Sequence, residues 1–462
     1  MKLHLAGTDA VYSIEQIALT LFPERAPRYS SEPDSAGDRS VTTLLPGKVE
    51  TRLRLDGHEV VSSFPLGPDP AKHEISYAVR TSFYQAALAF LPEKPLWGSL
   101  SGVRPAKACL AAAEGGLDQA VSFLISRYDV SPEKARIAAE SALVALDIRR
   151  GLREKDASLY INVPFCPSKC RYCSFITRAG ADPETLDRYV SALLQELELL
   201  RAGEDFRLVS CYVGGGTPAM LSPRQTERLL SAVRDLPSSP SPEITVELGR
   251  PELIDREKLD VLASLGVGKI SVNPQSLDDR VLATAGRGHG TEDFLCAYSL
   301  ARRYPFSINC DLIALLEGET SPGFLSGLEK LLALSPDAVS VHSLAVKRAS
   351  ALERAGGRGE VSKTVGRAAE LLRAEGYEPY YLYRQKNTAD GSENVGWAKP
   401  GHASLYNVVM MEEIGTVYAL GAGGVSKIFR DGEMIRRQNS KDPAEYVLRV
   451  AERAKKERKD HA

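Results

Sequence analysis

The sequence predicts an α/β fold, because strand and helix patterns alternate through the middle of the 462-residue chain. Short apolar runs typical of strands are separated by segments with helical periodicity, and together they make six β/α units. Counting the units does not distinguish six from eight. This alternation predicts a parallel sheet with right-handed crossovers, in which ligands bind at the carboxyl ends of the strands.

The first strand of the series, residues 159–163, runs directly into a group of cysteines. The helix after them begins with Asp182 as the N-cap and Pro183 at the first helical position. Five further candidate strands follow, at 208–213, 244–248, 269–273, 306–313 and 338–344. Helical segments between them include 255–265 and 324–334.

The β/α series occupies residues 156–345, so the flanking sequences are predicted to form separate domains. Residues 1–155 are expected to form an α+β domain with a hairpin at 49–63 that turns at Asp56-Gly57. They show no catalytic constellation. Residues 346–462 are expected to form a small C-terminal domain.

Composition excludes several classes of function. The 58 Lys and Arg residues nearly balance the 60 Asp and Glu residues, so neither a nucleic-acid partner nor an anionic membrane is expected. No apolar run is long enough to span a bilayer, and the first residues lack the apolar core of a signal peptide. The protein is therefore expected in the cytoplasm.

Three of the seven cysteines, Cys166, Cys170 and Cys173, are spaced by four and three residues. A loop with this spacing can hold three irons of a 4Fe–4S cluster and leave the fourth for S-adenosylmethionine (SAM). A zinc site normally needs a fourth Cys or His nearby, and none is close in sequence. A redox pair of Cys170 and Cys173 would leave Cys166 unexplained. The spacing predicts an iron–sulfur cluster.

Polar residues follow the later strands and are therefore expected at one rim of the sheet. The glycines of the segment 214–218 allow a close approach of backbone to a ligand. Four residues after these strands carry a carboxylate, amide or guanidinium group that could bind ribose or a carboxylate: Glu247, Gln275, Arg287 and Asp311. Each one alone fits a helix cap or a loop equally well. His342, Cys109, Cys211, Cys296 and Cys310 are expected to be packed in the core.

The cysteine segment YINVPFCPSKCRYC (160–173) resembles the oxygen-independent coproporphyrinogen III oxidase family of radical SAM enzymes. Further segments match the family's motifs in order: VGGGTP (213–218), NPQS (273–276), GRGH (286–289) and NCDLI (309–313). Three others are similar to its coproporphyrinogen dehydrogenase branch: WGSLSGVRP (97–105), VHSLAVKRAS (341–350) and YLYRQKN (381–387).

The resemblance implies a partial (β/α)6 radical SAM barrel between an N-terminal α+β domain and a small C-terminal domain. It implies a 4Fe–4S cluster on Cys166, Cys170 and Cys173, and one or two molecules of SAM. The residues it places on SAM are Tyr160, Tyr172, Gly215, Gly216, Thr217, Glu247, Gln275, Arg287, Asp311, Ala345 and Val425. Within this set, Gly215 to Thr217 would contact the methionine part, Glu247 the ribose and Val425 the adenine.

The activity implied is that of a radical SAM oxidoreductase of haem biosynthesis, which converts two propionates of coproporphyrinogen III to vinyl groups. The partners implied are a tetrapyrrole and an electron donor such as a flavodoxin or ferredoxin. The aromatic and cationic side chains of residues 380–386 form either a face for the tetrapyrrole or an ordinary half-buried strand. Phe175 stands where the characterised oxidase has a fourth cysteine. A haem-binding chaperone and a radical SAM enzyme acting on another tetrapyrrole or an unrelated metabolite therefore remain alternatives.

Overall fold

The computed structural model describes residues 1–33, 36–344, 359–385 and 391–460, with side chains up to residue 457 of the last helix. The chain divides into two compact units. The first unit comprises residues 1–143 together with a short segment that begins at Arg384, and the second comprises the rest of the chain from Val144. Within the described ranges, no helix has the length and apolarity that a bilayer span requires.

The first unit is built on a five-stranded sheet in the order β2-β1-β3-β4-β5. Its strands are β1 (Lys2–Ala6), β2 (Arg28–Tyr29), β3 (Arg39–Leu45), β4 (Lys48–Leu55) and β5 (His58–Pro65). Its helices are α1 (Val11–Leu21), α2 (Lys72–Ala87), α3 (Pro105–Ala113), α4 (Leu117–Tyr128) and the first part of α5 (Pro132–Gly151). The predicted hairpin is confirmed as β4 and β5, because Asp56 and Gly57 both have the positive φ of a tight hairpin turn, 50° and 85°.

The second unit contains an eleven-stranded sheet and the helices that cover it. Its strands and the two-stranded ribbon β7/β8 are β6 (Asp156–Val163), β7 (Phe165–Cys166), β8 (Arg178–Ala179), β9 (Arg207–Gly215), β10 (Ser238–Leu248), β11 (Lys269–Val272), β12 (Ser307–Ala314), β13 (Ala338–Ser343), β14 (Glu378–Arg384), β15 (Glu393–Ala398), β16 (Thr416–Leu420), β17 (Val425–Arg430) and β18 (Glu433–Gln438). Its helices are α6 (Pro183–Gly203), α7 (Pro223–Arg234), α8 (Arg256–Ser264), α9 (Asp279–Thr284), α10 (Thr291–Ala301), α11 (Ser321–Ala333), α12 (Glu360–Ala374), α13 (Leu405–Glu412) and α14 (Pro443–Asp460).

The centre of this sheet is parallel and runs in the order β13-β12-β11-β10-β9-β6. All six predicted strands of the β/α series are therefore confirmed, with ends shifted by a few residues. Late strands extend the sheet at both edges, because β15 pairs antiparallel with β13 and β16 pairs parallel with β6. The described residues after 358 thus continue the same sheet, and the domain boundary at residue 345 stays a prediction.

Helix α6 shows how local sequence builds these units. The Asp182 carboxylate accepts a hydrogen bond of 2.7 Å from the backbone N–H of Thr185, as expected for an N-cap. One face of the helix is buried along its length, through Leu186, Tyr189, Val190, Leu193 and Leu197. The helix therefore packs against the sheet by a stripe of helical period.

Strand register brings the polar residues to one edge of the sheet. Val163 pairs with Gly215, and Leu248 pairs with Val272. The cysteine loop after β6 therefore lies beside the glycine loop after β9, and the ends of β10 and β11 lie beside each other.

Candidate active site

The cysteine loop begins on β7 and is closed by its pairing with β8, through Phe165–Arg178 and Cys166–Ala179. Cys166 and Cys170 are buried, and Cys173 is half-buried. The backbone N–H of Cys173 donates to the carbonyl of Cys170 over 3.1 Å, which tightens the turn between them. The loop thus holds its three sulfurs at the carboxyl end of β6.

The three thiols belong to one short loop, and two cationic side chains act on the thiol of Cys166. Burial raises the pKa of Cys166 to about 11; the cationic Arg250 and Arg287 oppose this shift, and Cys173 and Cys170 add to it. Within the described residues, no three Cys, His, Asp or Glu side chains are close enough to hold a single metal ion. Three thiol sulfurs beside two guanidinium groups fit an anionic iron–sulfur cluster, which distributes its thiolates over separate irons.

The glycine loop packs directly against the cysteine loop. The backbone N–H of Gly216 donates to the carbonyl of Val163, and that of Thr217 to the carbonyl of Phe165, both over 2.8 Å. A Cβ added at Gly216 would lie 2.4 Å from the Phe165 carbonyl oxygen, so only glycine allows this approach. These two N–H groups are therefore already engaged. The backbone carbonyls of the glycine loop remain available to a bound amino acid, whose ammonium group would donate to them.

Glu247, at the end of β10, lies deep in the second unit but keeps some accessible surface. The Tyr212 hydroxyl donates to its carboxylate over 3.1 Å. Burial raises the pKa of Glu247 to about 7, the charge of Asp311 adds to the rise, and the Tyr212 hydrogen bond opposes it. This carboxylate therefore titrates near neutral pH.

Three tyrosine rings line the same interior. Tyr212 and Tyr406 are stacked with centroids 4.8 Å apart, and Tyr160 stacks on Tyr406 at 5.9 Å. The Tyr160 hydroxyl donates to the side-chain oxygen of Asn162 over 3.1 Å. Tyr160, predicted to lie near SAM, is thus placed between the start of the cysteine loop and Glu247.

Asp311 and His342 lie on neighbouring strands, β12 and β13. Carboxylate oxygens of Asp311 accept from the side-chain amides of Asn273, over 2.8 Å, and Asn309, over 2.7 Å. Burial alone would raise the pKa of Asp311, but hydrogen bonding and charge from His342 hold it below its usual value. An ionised Asp311 therefore stands close to a Glu247 that titrates near neutrality, and two carboxylates with separated pKa values can take different chemical roles.

Arg287 reaches back to the cysteine loop. Its guanidinium donates to the carbonyls of Gly249, over 2.8 Å, and Asn273, over 2.9 Å, and to the Tyr172 hydroxyl over 3.2 Å. Among the described residues its Nε is buried without a hydrogen-bond partner. Buried N–H groups are normally paired, so this one marks a place where a bound molecule would complete the site.

Gln275 has a positive φ of 67°, which non-glycine residues seldom adopt. Its backbone bridges to β12, with the N–H donating to the Asp311 carbonyl and the carbonyl accepting from Ile313, both over 2.9 Å. This strained position beside Asp311 is typical of functional sites.

Val425 begins β17, directly after the glycine segment Gly421 to Gly424. A Cβ added at Gly421 would lie 2.4 Å from the carbonyl oxygen of Asn162, and the Asn162 side chain donates to the Ala422 carbonyl. The segment before Val425 therefore packs on the end of β6, next to the cysteine loop.

Two of the residues singled out from the sequence, Ala345 and Lys386, lie outside the described residues. Tyr380 and Tyr381 are buried, and a Cβ added at Gly396 would lie 1.9 Å from the Tyr381 ring, so these side chains fill packed space. Their burial counts against a face for the tetrapyrrole, and β14 is more deeply buried than the half-buried strand that was the alternative.

The four remaining cysteines and His342 are predicted from the sequence to be packed in the core. Cys109, Cys211 and Cys310 are buried as expected, but Cys296 is exposed on α10, so its assignment to the core is wrong. The amphipathic α10 turns that position toward solvent. His342 keeps about a quarter of its side chain accessible and faces Asp311, so it belongs to the polar interior.

Sequence reasoning missed Arg250 and Tyr212 as members of the site. Arg250 follows Glu247 by three residues, and its Nη2 lies 3.1 Å from the sulfur of Cys170. Tyr212 lies on β9 just before the glycine loop, between the buried Cys211 and Val213. Because successive residues of a strand point to opposite faces, the sequence does place Tyr212 on the face opposite to these two residues.

Comparison with known proteins shows the family to which this sequence is related. The sequence model of the Radical SAM superfamily matches residues 160–331. The chain is 38% identical over 371 residues to the Bacillus subtilis "oxygen-independent coproporphyrinogen-III oxidase-like protein HemZ", covering 76% of this chain and 74% of that protein. It is 29% identical over 301 residues to the Escherichia coli "heme chaperone HemW", covering 63% and 75%.

Among solved structures, the E. coli coproporphyrinogen III oxidase HemN, a radical SAM enzyme, has a similar fold. The TM-score is 0.54 at 23% identity, over 68% of this chain and 73% of that one.

Proposed function

Because the chain belongs to the radical SAM family that includes the coproporphyrinogen-III oxidase-like protein HemZ, we propose that it oxidatively decarboxylates coproporphyrinogen III. In this proposal two propionate side chains become vinyl groups and protoporphyrinogen IX is the product. The observation that carries it is the 38% identity to HemZ over 76% of the chain, which extends well beyond the residues of the radical SAM match.

The cofactors of the family are a 4Fe–4S cluster and SAM. Cys166, Cys170 and Cys173 would hold the cluster, and the burial of the first two would limit its exposure to water. When bound and reduced by a donor such as a flavodoxin or ferredoxin, these cofactors supply a carbon radical able to abstract hydrogen from an unactivated position.

The protein's own contribution is to bind and orient. The Glu247 carboxylate, oriented by the Tyr212 hydroxyl, would accept hydrogen bonds from ribose hydroxyls. The backbone carbonyls of Gly215, Gly216 and Thr217 would accept from the SAM ammonium. Tyr172, Gln275, Arg287 and Asp311, which converge on the same edge of the sheet, are proposed contacts of one or two SAM molecules.

One cationic group in this interior suits a substrate that carries carboxylates. Burial acts to lower the pKa of His342, but hydrogen bonding and charge from Asp311 outweigh it and raise the pKa. A protonated His342 would therefore be available to orient a propionate by a charge-assisted hydrogen bond. Holding the reacting carbon in place and excluding water are the main ways in which the protein would raise the rate.

The decisive experiment is anaerobic incubation of the reconstituted chain with SAM, a reductant and coproporphyrinogen III. Mass spectrometry should detect loss of two carboxyl groups from the porphyrinogen and formation of 5′-deoxyadenosine. Cleavage of SAM without a change in the porphyrinogen would contradict the proposed substrate while leaving the radical chemistry intact.

A haem chaperone is the second candidate, favoured by Phe175. This residue follows Cys173 by two positions and is 64% exposed, so this position of the loop carries an exposed aromatic ring and no thiol. The identity to HemW covers 75% of that chaperone. Stoichiometric haem binding in the absence of porphyrinogen turnover would favour this function over decarboxylation.

A further inference from the structure

Arg250 is a buried cation that faces the cysteine loop. Its side chain is 3% exposed. One nitrogen, Nη2, lies 2.7 Å from the carbonyl oxygen of Ser168 and 3.1 Å from the sulfur of Cys170. Arg250 therefore contacts both the backbone and a sulfur of the loop predicted to hold the cluster.

A second guanidinium approaches the same sulfur. Nη1 of Arg287 lies 3.9 Å from Cys170 and also donates to the Tyr172 hydroxyl. The cysteine loop thus receives two fixed positive charges, and both are directed at Cys170. Arg250 makes the shorter contact of the two.

Holding the loop does not require a charge at this position. A neutral amide could donate to the Ser168 carbonyl equally well, whereas a buried guanidinium is unfavourable without an anion beside it. The carboxylate nearest to Arg250 is that of Glu252, at 3.4 Å. That carboxylate is shared, because its other oxygen lies 3.2 Å from Nδ1 of His289. A Cys170 thiolate bound to iron would place a second negative charge beside Arg250.

We infer that Arg250 is a positioning residue that sets the reduction potential of the cluster through Cys170. Reduction adds one electron and therefore one negative charge to the cluster. A buried cation in hydrogen-bond contact with a ligand sulfur stabilises the reduced state and makes the potential less negative. The inference rests on the family's cofactors and is independent of the identity of the substrate.

The test is a redox titration of the anaerobically reconstituted full chain, followed by paramagnetic resonance of the reduced cluster. Arg250→Gln keeps a hydrogen-bond donor but removes the charge. Replacing a charge-assisted hydrogen bond to the sulfur by a neutral one should make reduction about tenfold less favourable. For a one-electron couple this is a shift of about 59 mV to more negative potential. Arg250→Lys keeps the charge and should shift the potential by less than half as much.

Arg228→Gln is the matched control, because it removes the same charge from a surface ion pair with Asp187. It should leave the potential unchanged. The inference is overturned if Arg250→Gln assembles a full cluster at the wild-type potential, or if Arg250→Lys shifts as far as Arg250→Gln. Loss of the cluster from both Arg250 variants would also overturn it, since Arg250 would then only maintain the loop. These readouts do not depend on porphyrinogen turnover.

Discussion

Nε2 of His342 lies 3.7 Å from a carboxylate oxygen of Asp311 across neighbouring parallel strands. The pKa of His342 is raised and that of Asp311 is lowered, so each partner favours the charged form of the other. The carboxylate of Glu247 belongs to the same interior and contributes to the rise in the pKa of His342. This pair supplies the charge pattern from which the first two predictions follow.

Replacing His342 by Gln should destabilise the protein in a pH-dependent way. Because the folded pKa of His342 lies above the ordinary value of 6.5, its contribution is fully present below pH 6.5 and is lost as pH rises through the folded pKa. The loss should be about 1–3 kcal/mol at pH 6 and clearly smaller at pH 9. Urea denaturation at both pH values measures it, with the exposed His58→Gln as a control. An equal loss at both pH values would contradict the ion pair.

SAM affinity should increase as pH rises through about 7, the pKa to which burial and Asp311 raise Glu247. The ionised carboxylate can accept hydrogen bonds from both ribose hydroxyls through its two oxygens. In the protonated form one of these oxygens carries a proton and acts as a donor. Glu247→Ala should weaken binding by about 1–3 kcal/mol, and Glu247→Gln should remove the pH dependence. Anaerobic calorimetry at pH 6 and 8 tests both effects.

Glu243 offers a control on the same strand, β10. It pairs with Lys269 at 2.8 Å and accepts from the backbone at the start of α13, so its role is structural. Glu243→Gln should keep the pH dependence of SAM binding. If Glu247→Gln also keeps it, Glu247 has no role in binding ribose.

Replacing Cys166, Cys170 and Cys173 together by Ala should abolish iron binding, which is expected at about four irons per chain in the wild type. Iron analysis and paramagnetic resonance after anaerobic reconstitution measure this. Cys296→Ser should retain the cluster, because this thiol is exposed on α10. Iron and SAM cleavage that persist in the triple variant would show that the cluster lies elsewhere.

The N-terminal unit is predicted to be dispensable for radical chemistry, since none of the SAM or cluster positions precedes Tyr160. The chain should be cut near Val144 rather than after α5, because Ile148 and Leu152 pack against Tyr406 and Val409 within the second unit. The truncated protein should assemble the cluster and form 5′-deoxyadenosine slowly without substrate. A soluble, cluster-loaded truncation that forms none would show that the first unit completes the SAM site.

The β/α series and the cysteine loop could be predicted because their signals are local. Each strand is a short apolar run, and the Asp182-Pro183 pair begins α6 with its own hydrogen bond. The cysteine spacing carries its chemistry within eight residues. Parallel strands then bring Glu247, Gln275 and Asp311 to one edge whatever the details of packing.

What could not be predicted depends on pairs that are distant in sequence. Arg250 meets Cys170 across 80 residues, and nothing in its neighbourhood distinguishes it from a loop arginine. His342 has the sequence pattern of a core strand, and only the position of β12 shows that Asp311 faces it. The exposure of Cys296 depends likewise on which face of α10 the sheet covers.

The pairing of β16 with β6 has a consequence for synthesis on the ribosome. Strand β6 leads into the cysteine loop, yet its neighbour on one side begins at Thr416, and the Asn162 contact with Ala422 spans 260 residues. Contacts of such long range form late, because the intervening chain must first be ordered. Until residues 416–420 have been synthesised, the edge of β6 that pairs with β16 has no partner strand. The cysteine loop then lies beside an incomplete sheet. Completion of the cluster pocket therefore has to await synthesis of the residues that form β16.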